Sequence, residues 1–220
     1  MKENLTELVF ILDRSGSMGG LESDTIGGFN SMLAKQQKEP GECRITTVLF
    51  DDTYEILHDR IDIKAVKNIT EKEYYVRGST ALLDAVGSSI QKINKAQKNT
   101  SKEQRAKKVV FVITTDGMEN SSHNFTYKQI KSLVERKKSK KNWEFIFLGA
   151  NIDAIDVASR IGIARTRTQN YHNDSEGTEL NYSVLSETLS LHRAAPACAR
   201  IPDNWGDKIS DDYVKRNVFR

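Results

Sequence analysis

Short apolar runs alternate with stretches of helical periodicity along most of the 220-residue chain. Runs of four to eight apolar residues favour strands, and an apolar residue at every third or fourth position favours a helix. The predicted strands cover 7–12, 44–50, 55–63, 109–114, 143–149 and 166–171. The predicted helices cover 21–37, 81–95, 127–137, 154–161 and 178–193. Strands that alternate with helices are typical of an α/β fold.

The same pattern specifies the arrangement of the sheet. We predict a Rossmann-like, doubly wound fold, with a mostly parallel sheet and helices on both faces. The run 55–63 alternates more loosely than the others and is predicted to be an antiparallel edge strand. Ser79 or Thr80 is the expected N-cap of the helix that follows, since both carry a hydroxyl just before the helical pattern.

No repeat or low-complexity linker divides this pattern, so we predict one domain over residues 1–195. After Pro196 the periodicity is lost. Residues 196–220 are predicted to form a C-terminal tail that either packs through Trp205 and Tyr213 or stays partly loose.

The composition, 38% hydrophobic and 29% charged residues, is that of an ordinary soluble protein. No apolar run approaches the ~20 residues of a membrane-spanning helix, and the N-terminus does not resemble a signal peptide. We therefore expect a cytoplasmic protein without a membrane partner. Cys43 and Cys198 are too few for a disulfide framework or a zinc site.

The net charge of +3 is too small to predict nucleic-acid binding, but its distribution is uneven. Two groups of basic residues precede the predicted strands 109–114 and 143–149: Lys92, Lys95, Lys98, Lys102, Arg105, Lys107 and Lys108, then Arg136, Lys137, Lys138, Lys140 and Lys141. The entrances of parallel strands lie at one end of a sheet, so these residues should gather there. A solvated face is the interpretation that we favour, and a scaffold that binds a polyanion is the alternative.

The first predicted strand ends on a carboxylate that is followed by a hydroxyl at every second position. Asp13, Ser15 and Ser17 are hard oxygen donors, which suit Mg²⁺, Mn²⁺ or Ca²⁺ better than zinc or copper. Gly16 allows a sharp bend between the two serines. One carboxylate does not hold a divalent cation tightly, so further ligands are expected from other strand ends.

Two later segments provide such ligands. Residues 77–85 place a glycine and two hydroxyls before a helical pattern, and residues 109–117 form an apolar run that ends on Asp116. With these pieces, residues 6–195 resemble the von Willebrand factor A domain family, also called the integrin I-domain type. The metal-ion-dependent adhesion site (MIDAS) of that family reads Asp-x-Ser-x-Ser, then a lone Thr, then an Asp usually followed by Gly. The matching residues, in order, are Asp13, Ser15, Ser17, Thr80 and Asp116.

The resemblance implies a protein-interaction module rather than an enzyme. The five matching residues would hold a divalent cation, with Mg²⁺ expected first and Mn²⁺ or Ca²⁺ as alternatives, directly or through water. A partner protein would supply an Asp or Glu to the metal. The compact, Lys-rich chain is also similar to stand-alone members of the family from bacteria and phages.

Four residues are expected at the rim of this site: Arg14, Gly117, Glu119 and His123. Arg14 would either reach an anionic group of the partner or pack outward. Glu119 would either tune the electrostatics of the rim or, as we favour, face water.

A Mg²⁺-dependent phosphatase or phosphotransferase is the main alternative function. Haloacid-dehalogenase-type enzymes need a second carboxylate two residues after the first, and this position holds Ser15, a poor proton shuttle near neutral pH. A dinucleotide-binding enzyme is disfavoured because Asp13 stands where Gly-x-Gly-x-x-Gly would be needed. A degenerate site without a ligand is a further alternative. The sequence does not indicate an oligomeric state.

Overall fold

A computed structural model describes residues 5–218, so residues 1–4 of the predicted domain and 219–220 of the predicted tail lie outside it. Its sheet has six strands in the order β3-β2-β1-β4-β5-β6. The strands are β1 (Thr6–Asp13), β2 (Cys43–Phe50), β3 (Tyr54–Asp62), β4 (Lys108–Thr115), β5 (Glu144–Gly149) and β6 (Thr168–Asn170). Only the β2–β3 pair is antiparallel. The predicted mostly parallel sheet with one antiparallel edge strand is therefore confirmed.

Helices cover both faces of this sheet, as predicted. They are α1 (Glu22–Lys38), α2 (Leu82–Asn99), α3 (Tyr127–Lys141), α4 (Ala154–Arg160), α5 (Ser175–Ala194) and α6 (Asp207–Val218). One core cluster packs α1, α5 and α6 against the sheet, and the other packs α2, α3 and α4.

The central strand β1 joins the two cores because successive side chains of a strand point to opposite faces. Leu8, Phe10 and Leu12 belong to the first cluster, and Val9 and Ile11 to the second. β1 is buried along its whole length, which is why it reads as a continuous apolar run. In the parallel register Leu12 lies opposite Thr114 of β4, so β1 and β4 end side by side.

Two sequence-based details are wrong. Neither Ser79 nor Thr80 caps α2, because the helix starts at Leu82 with Ala81 at the N-cap and no side-chain cap bond. Helix α3 was predicted to end at 137 but continues to Lys141, so Lys138, Lys140 and Lys141 lie in its last turn. It ends at Asn142, whose φ of 54° is the left-handed conformation that commonly closes a helix.

The segment after residue 195 packs against the first core cluster through Ile201, Trp205 and Ile209. The indole Nε1 of Trp205 donates to the carbonyl of Thr166 at 2.9 Å. Tyr213 stacks on His172 with ring centroids 4.9 Å apart. The two aromatic contacts expected of this segment are thus present, while the domain boundary placed at 195 stays a prediction. Within residues 5–218, no helix has the length and apolarity needed to cross a bilayer.

Candidate metal centre

The carboxylate of Asp13 occupies a fixed position at the end of β1. Its Oδ1 accepts a hydrogen bond from the backbone N–H of Ser15 at 2.7 Å, and its Oδ2 accepts one from Thr115 Oγ1 at 2.5 Å. The backbone carbonyl of Asp13 accepts a third, from the Tyr74 hydroxyl at 2.5 Å. Asp13, Thr115 and Tyr74 are all buried. The strand end is therefore rigid, which is what a metal ligand requires.

The two serines and Asp116 form a connected group of oxygens next to Asp13. Residues Gly16–Met18 make a 3₁₀ turn, which places the hydroxyls of Ser15 and Ser17 3.1 Å apart. Ser17 Oγ then donates to Asp116 Oδ1 at 2.6 Å, across 99 positions of sequence. The other oxygen of Asp116, Oδ2, accepts from Asn173 Nδ2 at 3.2 Å.

Thr80 completes this group of oxygens. The space around Gly117 shows how closely the Thr80 hydroxyl approaches the two serine hydroxyls. A Cβ atom added to Gly117 would lie 2.6 Å from Thr80 Oγ1, 3.0 Å from Ser17 Oγ and 3.5 Å from Ser15 Oγ. Three hydroxyls thus surround a small volume that a methyl group would fill. Asn120 fixes Thr80 from both sides, since its Oδ1 accepts from Thr80 N at 2.9 Å and its N–H donates to Thr80 O at 3.0 Å.

The electrostatics of the group favour a cation. Burial raises the pKa of Asp13 to about 6, although hydrogen bonds from Ser15 and Thr115 oppose the shift. Burial also raises the pKa of Asp116. Both carboxylates are hydrogen-bonded only to hydroxyls and N–H groups, and no lysine or arginine of residues 5–218 pairs with them. Two carboxylates and three hydroxyls form a hard donor set that fits a divalent cation.

This donor set is rich in hydroxyls and contains only two carboxylates. Within the described part of the chain, no cluster of three or more His, Cys, Asp or Glu side chains is arranged to hold a metal. The structure nevertheless brings together all five residues that the sequence singles out. The support for a ligand role is the chemistry of their oxygen donors.

Arg14 does not lie at the rim, so both expectations for it are wrong. Its side chain is fully buried, with Nε 2.8 Å from Asp51 Oδ2 and Nη2 2.7 Å from Glu55 Oε2. Arg77 Nε contacts the same Asp51 oxygen at 2.7 Å. Burial alone would raise the pKa of Asp51, but hydrogen bonds from Thr53, Arg77 and Arg14 outweigh it and hold that pKa well below its usual range. Arg14 therefore anchors the site loop to the end of β2.

Glu119 has a structural role that the sequence did not suggest. It does not simply face water, because its half-buried carboxylate accepts hydrogen bonds from Leu83 N at 2.9 Å, Ser121 N at 3.0 Å and Ser122 N at 2.8 Å. It thereby satisfies a backbone donor in the first turn of α2, where negative charge is also favourable. An electrostatic role at the rim stays a prediction.

Gly117 and His123 differ in their distance from the three hydroxyls of the candidate site. Gly117 borders it directly, as the distances above require. His123 is exposed, and its backbone N–H donates to Asp84 Oδ2 at 2.9 Å. A rim role for the His123 side chain stays a prediction.

Three residues that support the site were missed by the sequence analysis: Thr115, Asn120 and Asn173. Thr115 precedes Asp116 directly, and its position on the buried strand could have suggested a contact with β1. Asn120 and Asn173 lie in loops, and no local pattern connects them to Thr80 or Asp116. Only the fold brings them together.

Comparison with known proteins identifies the family. The sequence model of the von Willebrand factor type A domain matches residues 7–185. The chain belongs to the von Willebrand factor type A domain family. The resemblance drawn from the MIDAS residues is thus confirmed at the level of the family. A search of curated proteins found no match.

Solved structures agree with this assignment. The manganese-loaded TRAP protein of Plasmodium vivax has a TM-score of 0.60 and 18% identity, over 87% of this chain and 75% of that one. A mutant of the PilB minor pilin of Streptococcus sanguinis has a TM-score of 0.60 and 12% identity, over 87% and 63%. Proximal thread matrix protein 1 of the mussel byssus, with a zinc-occupied MIDAS motif, has a TM-score of 0.54 and 12% identity, over 86% and 46%.

These identities establish the common fold and nothing about individual residues. The chain also spans 63% of the pilin and 46% of the mussel protein, so it corresponds to part of each. One of these relatives is loaded with manganese, and another holds zinc in its MIDAS motif. Von Willebrand factor type A domains are mostly non-enzymatic interaction modules that depend on a metal.

Proposed function

We propose that this protein is a metal-dependent interaction module that captures an acidic residue of a partner protein. Five side chains would hold the cation, Mg²⁺ in the cell: Asp13, Ser15, Ser17, Thr80 and Asp116. The observation that carries the proposal is the convergence of the hydroxyls of Thr80, Ser17 and Ser15 beside Gly117. They lie next to two carboxylates that have no cationic partner among the described residues.

The balance of charge supports capture of a carboxylate. Two carboxylates neutralise a divalent cation formally, and three hydroxyls add no charge. The bound ion would therefore remain a good acceptor for another anionic oxygen. Because Mg²⁺ takes six oxygen ligands, five side chains, some acting through water, leave room for an outside carboxylate.

The surroundings of the site are open to such a partner. Ser17 is exposed, and Met118, which follows Gly117, is 68% exposed. An exposed methionine beside a polar site offers a flexible apolar contact. We expect the partner segment to carry an apolar side chain near its acidic residue.

A phosphatase or phosphotransferase has weaker support. The position where a general acid-base would be needed holds the hydroxyl of Ser15, which is a poor proton shuttle near neutral pH and lies 3.1 Å from Ser17 Oγ. With Mg²⁺ present, we expect the wild type to hydrolyse an aryl phosphate no faster than the Asp13→Ala variant does. Turnover that depends on Asp13 would establish the enzyme instead. A cytoplasmic location and a bacterial or phage origin remain parts of the proposal.

The proposal is tested with Mn²⁺ as a paramagnetic probe. Bound Mn²⁺ should enhance the relaxation of water protons, and millimolar acetate should reduce this enhancement as its carboxylate replaces a water. Thr80→Ala should weaken Mn²⁺ binding by about tenfold, the equivalent of one good charged contact. Thr166→Ala, at an exposed threonine far from the site, is the matched control.

Two results would contradict the proposal. Absence of Mn²⁺ binding would exclude the metal centre, and binding that ignores acetate would exclude an exchangeable position. Once a partner is known, its capture should be lost with EDTA and in Thr80→Ala. Capture that survives both treatments would assign the interaction to another surface.

A further inference from the structure

A concave pocket lies at the end of the sheet opposite the candidate metal centre. It has a volume of about 310 Å³ and opens between the C-terminal ends of α2 and α3 and the loop before β4. Every charged residue that lines it is a cation: Lys98, Lys102, Arg105, Lys107 and Lys141, with Trp143 among the other lining residues. We call it the basic pocket.

We propose that the basic pocket binds a multiply charged phosphate compound. The chemistry that it recognises is a chain of phosphates, whether free or carried by a nucleotide. Several lysines and an arginine around one concavity match the several negative oxygens of such a group. The proposal is independent of the metal centre and of the function assigned to it.

Three of the five cations of the basic pocket, Lys98, Lys102 and Lys141, differ from other cations of the fold in their pairing. Lys92 pairs with Asp59 at 2.7 Å, and Lys108 Nζ donates to carbonyls at the end of α5. In contrast, no ion pair within residues 5–218 holds the side chains of Lys98, Lys102 or Lys141. Three cations at one concavity are thus left without an anion from the described part of the chain.

The dipoles of α2 and α3 do not account for this accumulation. Cations are favourable near helix C-termini, which suits Lys98 and Lys141. However, Arg105 already donates to the carbonyls of Thr100 at 2.8 Å and Lys98 at 3.1 Å at the end of α2. Lys102 and Lys107 lie in the loop beyond the helix. A helix end that is already capped does not require additional lysines.

The lowered pKa of a buried lysine beside the basic pocket indicates a local excess of positive charge. Lys137 bonds to Asn94 Oδ1, and its Nζ lies 4.9 Å from the centre of the Trp143 ring. Burial and the neighbouring cations Arg136, Lys98 and Lys141 lower the pKa of Lys137 to about 8. An anion bound in the pocket would relieve this repulsion.

The nearby acids do not fill the basic pocket. Glu7, which accepts from Gln97 at 2.6 Å, is paired with Arg60 and buried. Glu103 is exposed in the 3₁₀ turn Lys102–Gln104. Neither carboxylate lines the cavity.

Size and shape favour a small ligand over nucleic acid. A volume of about 310 Å³ lies at the lower end of the range for small-molecule pockets, and the cations converge instead of forming a stripe along the surface. The pocket lies at the start of β4, whose eight residues separate it from the metal centre by roughly 23 Å. Both sites can therefore be occupied at once.

The test is calorimetric titration with inorganic tripolyphosphate, in EDTA so that no metal takes part. We expect binding that weakens at least about tenfold in the triple variant Lys98→Glu, Lys102→Glu, Lys141→Glu, since each lost charge-assisted contact is substantial. The control is Lys64→Glu, Lys67→Glu, Lys215→Glu, which has the same formal charge and changes exposed lysines elsewhere. The control should keep the affinity of the wild type within about threefold, because long-range charge effects are screened by salt.

Further arms identify the ligand. Tighter binding of a nucleoside triphosphate than of tripolyphosphate would indicate a nucleotide site, and equal binding would indicate a site for the phosphate chain. Circular dichroism melting checks that both triple variants fold, and Lys102→Ala serves if the first triple variant does not. Equal weakening in the two triple variants, no binding by the wild type, or binding of a single-stranded oligonucleotide alone would overturn the proposal.

Discussion

The two ends of the sheet use their charged groups in opposite ways. Where β1 and β4 end, Asp13 and Asp116 are oriented by hydroxyls and amides, and no cationic side chain of residues 5–218 pairs with them. Where β4 begins, Lys98, Lys102 and Lys141 line the basic pocket, and none of the three has an ion pair within residues 5–218. Each end thus lacks a charge of opposite sign that a ligand would supply. The comparison indicates that charged side chains without an ion-pair partner mark binding sites better than the mere number of charged side chains does.

The candidate metal centre is also held more rigidly by buried side chains than the basic pocket is. Arg14, Asp51 and Tyr74 are buried behind the site loop and hold it before any ligand arrives. The lysines of the basic pocket are long and mostly exposed. We therefore expect substitutions behind the metal end to affect stability and substitutions in the basic pocket to affect binding alone.

The largest effect is predicted for Arg14→Met. Removing the buried guanidinium takes an ion pair from both Asp51 and Glu55, and loss of one member of a buried pair costs about 3–5 kcal/mol. Arg77→Met is the matched control, because Arg77 contacts the same Asp51 oxygen from a side chain that is 44% exposed. It should cost about 1 kcal/mol or less. Urea unfolding measures both, and equal costs would contradict the anchoring role of Arg14.

The case of Arg14 also explains what the sequence could and could not predict. The apolar runs predicted the sheet, and the spacing of Asp13, Ser15 and Ser17 predicted part of the candidate metal centre, because both are properties of neighbouring positions. The partners of Arg14 lie 37 and 41 residues away, so nothing near Arg14 indicates that it is buried. The same holds for Asn173, which reaches Asp116 from a loop 57 residues away.

The second prediction concerns Gly117→Ala. The added methyl would lie 2.6 Å from Thr80 Oγ1 and 3.0 Å from Ser17 Oγ, which forces these hydroxyls apart. We expect at least about a tenfold loss of Mg²⁺ or Mn²⁺ affinity, which corresponds to about 1.4 kcal/mol. Gly27→Ala is the control, since a Cβ there meets nothing within 4 Å, and alanine should stabilise helix α1 by up to about 1 kcal/mol. Calorimetry would contradict the site if Gly117→Ala bound metal as the wild type does.

The third prediction is a pH dependence of stability at the basic end, similar in size to the second effect. Burial, together with Lys108, lowers the pKa of His192 to about 4, and its Nδ1 is buried without a hydrogen-bond partner. The unfolded chain takes up this proton near pH 6.5, before the folded protein does. Stability is therefore highest above pH 6.5 and falls as the pH drops from 6.5 to 4, by about 1–2 kcal/mol after allowance for partial solvation.

The matched variant for this prediction is His192→Gln, which has no titratable group. Denaturant unfolding at several pH values should show a flatter dependence between pH 6.5 and 4 in the variant than in the wild type. Exposed His123 provides the control, and His123→Gln should leave the dependence unchanged. The same slope in wild type and His192→Gln would show that other groups control stability in this range.

The most direct test of the metal centre is thermal unfolding with and without Mg²⁺, for the wild type, Asp13→Ala and the exposed-site control Asp59→Ala. At a concentration 100 times Kd, binding to the folded state adds about 2.7 kcal/mol, which raises Tm by roughly 5–10 °C for a domain of this size. We predict this rise for the wild type and Asp59→Ala, and none for Asp13→Ala. A wild-type Tm that does not respond to Mg²⁺ or Mn²⁺, or a rise that persists in Asp13→Ala, would contradict a metal centre built on Asp13.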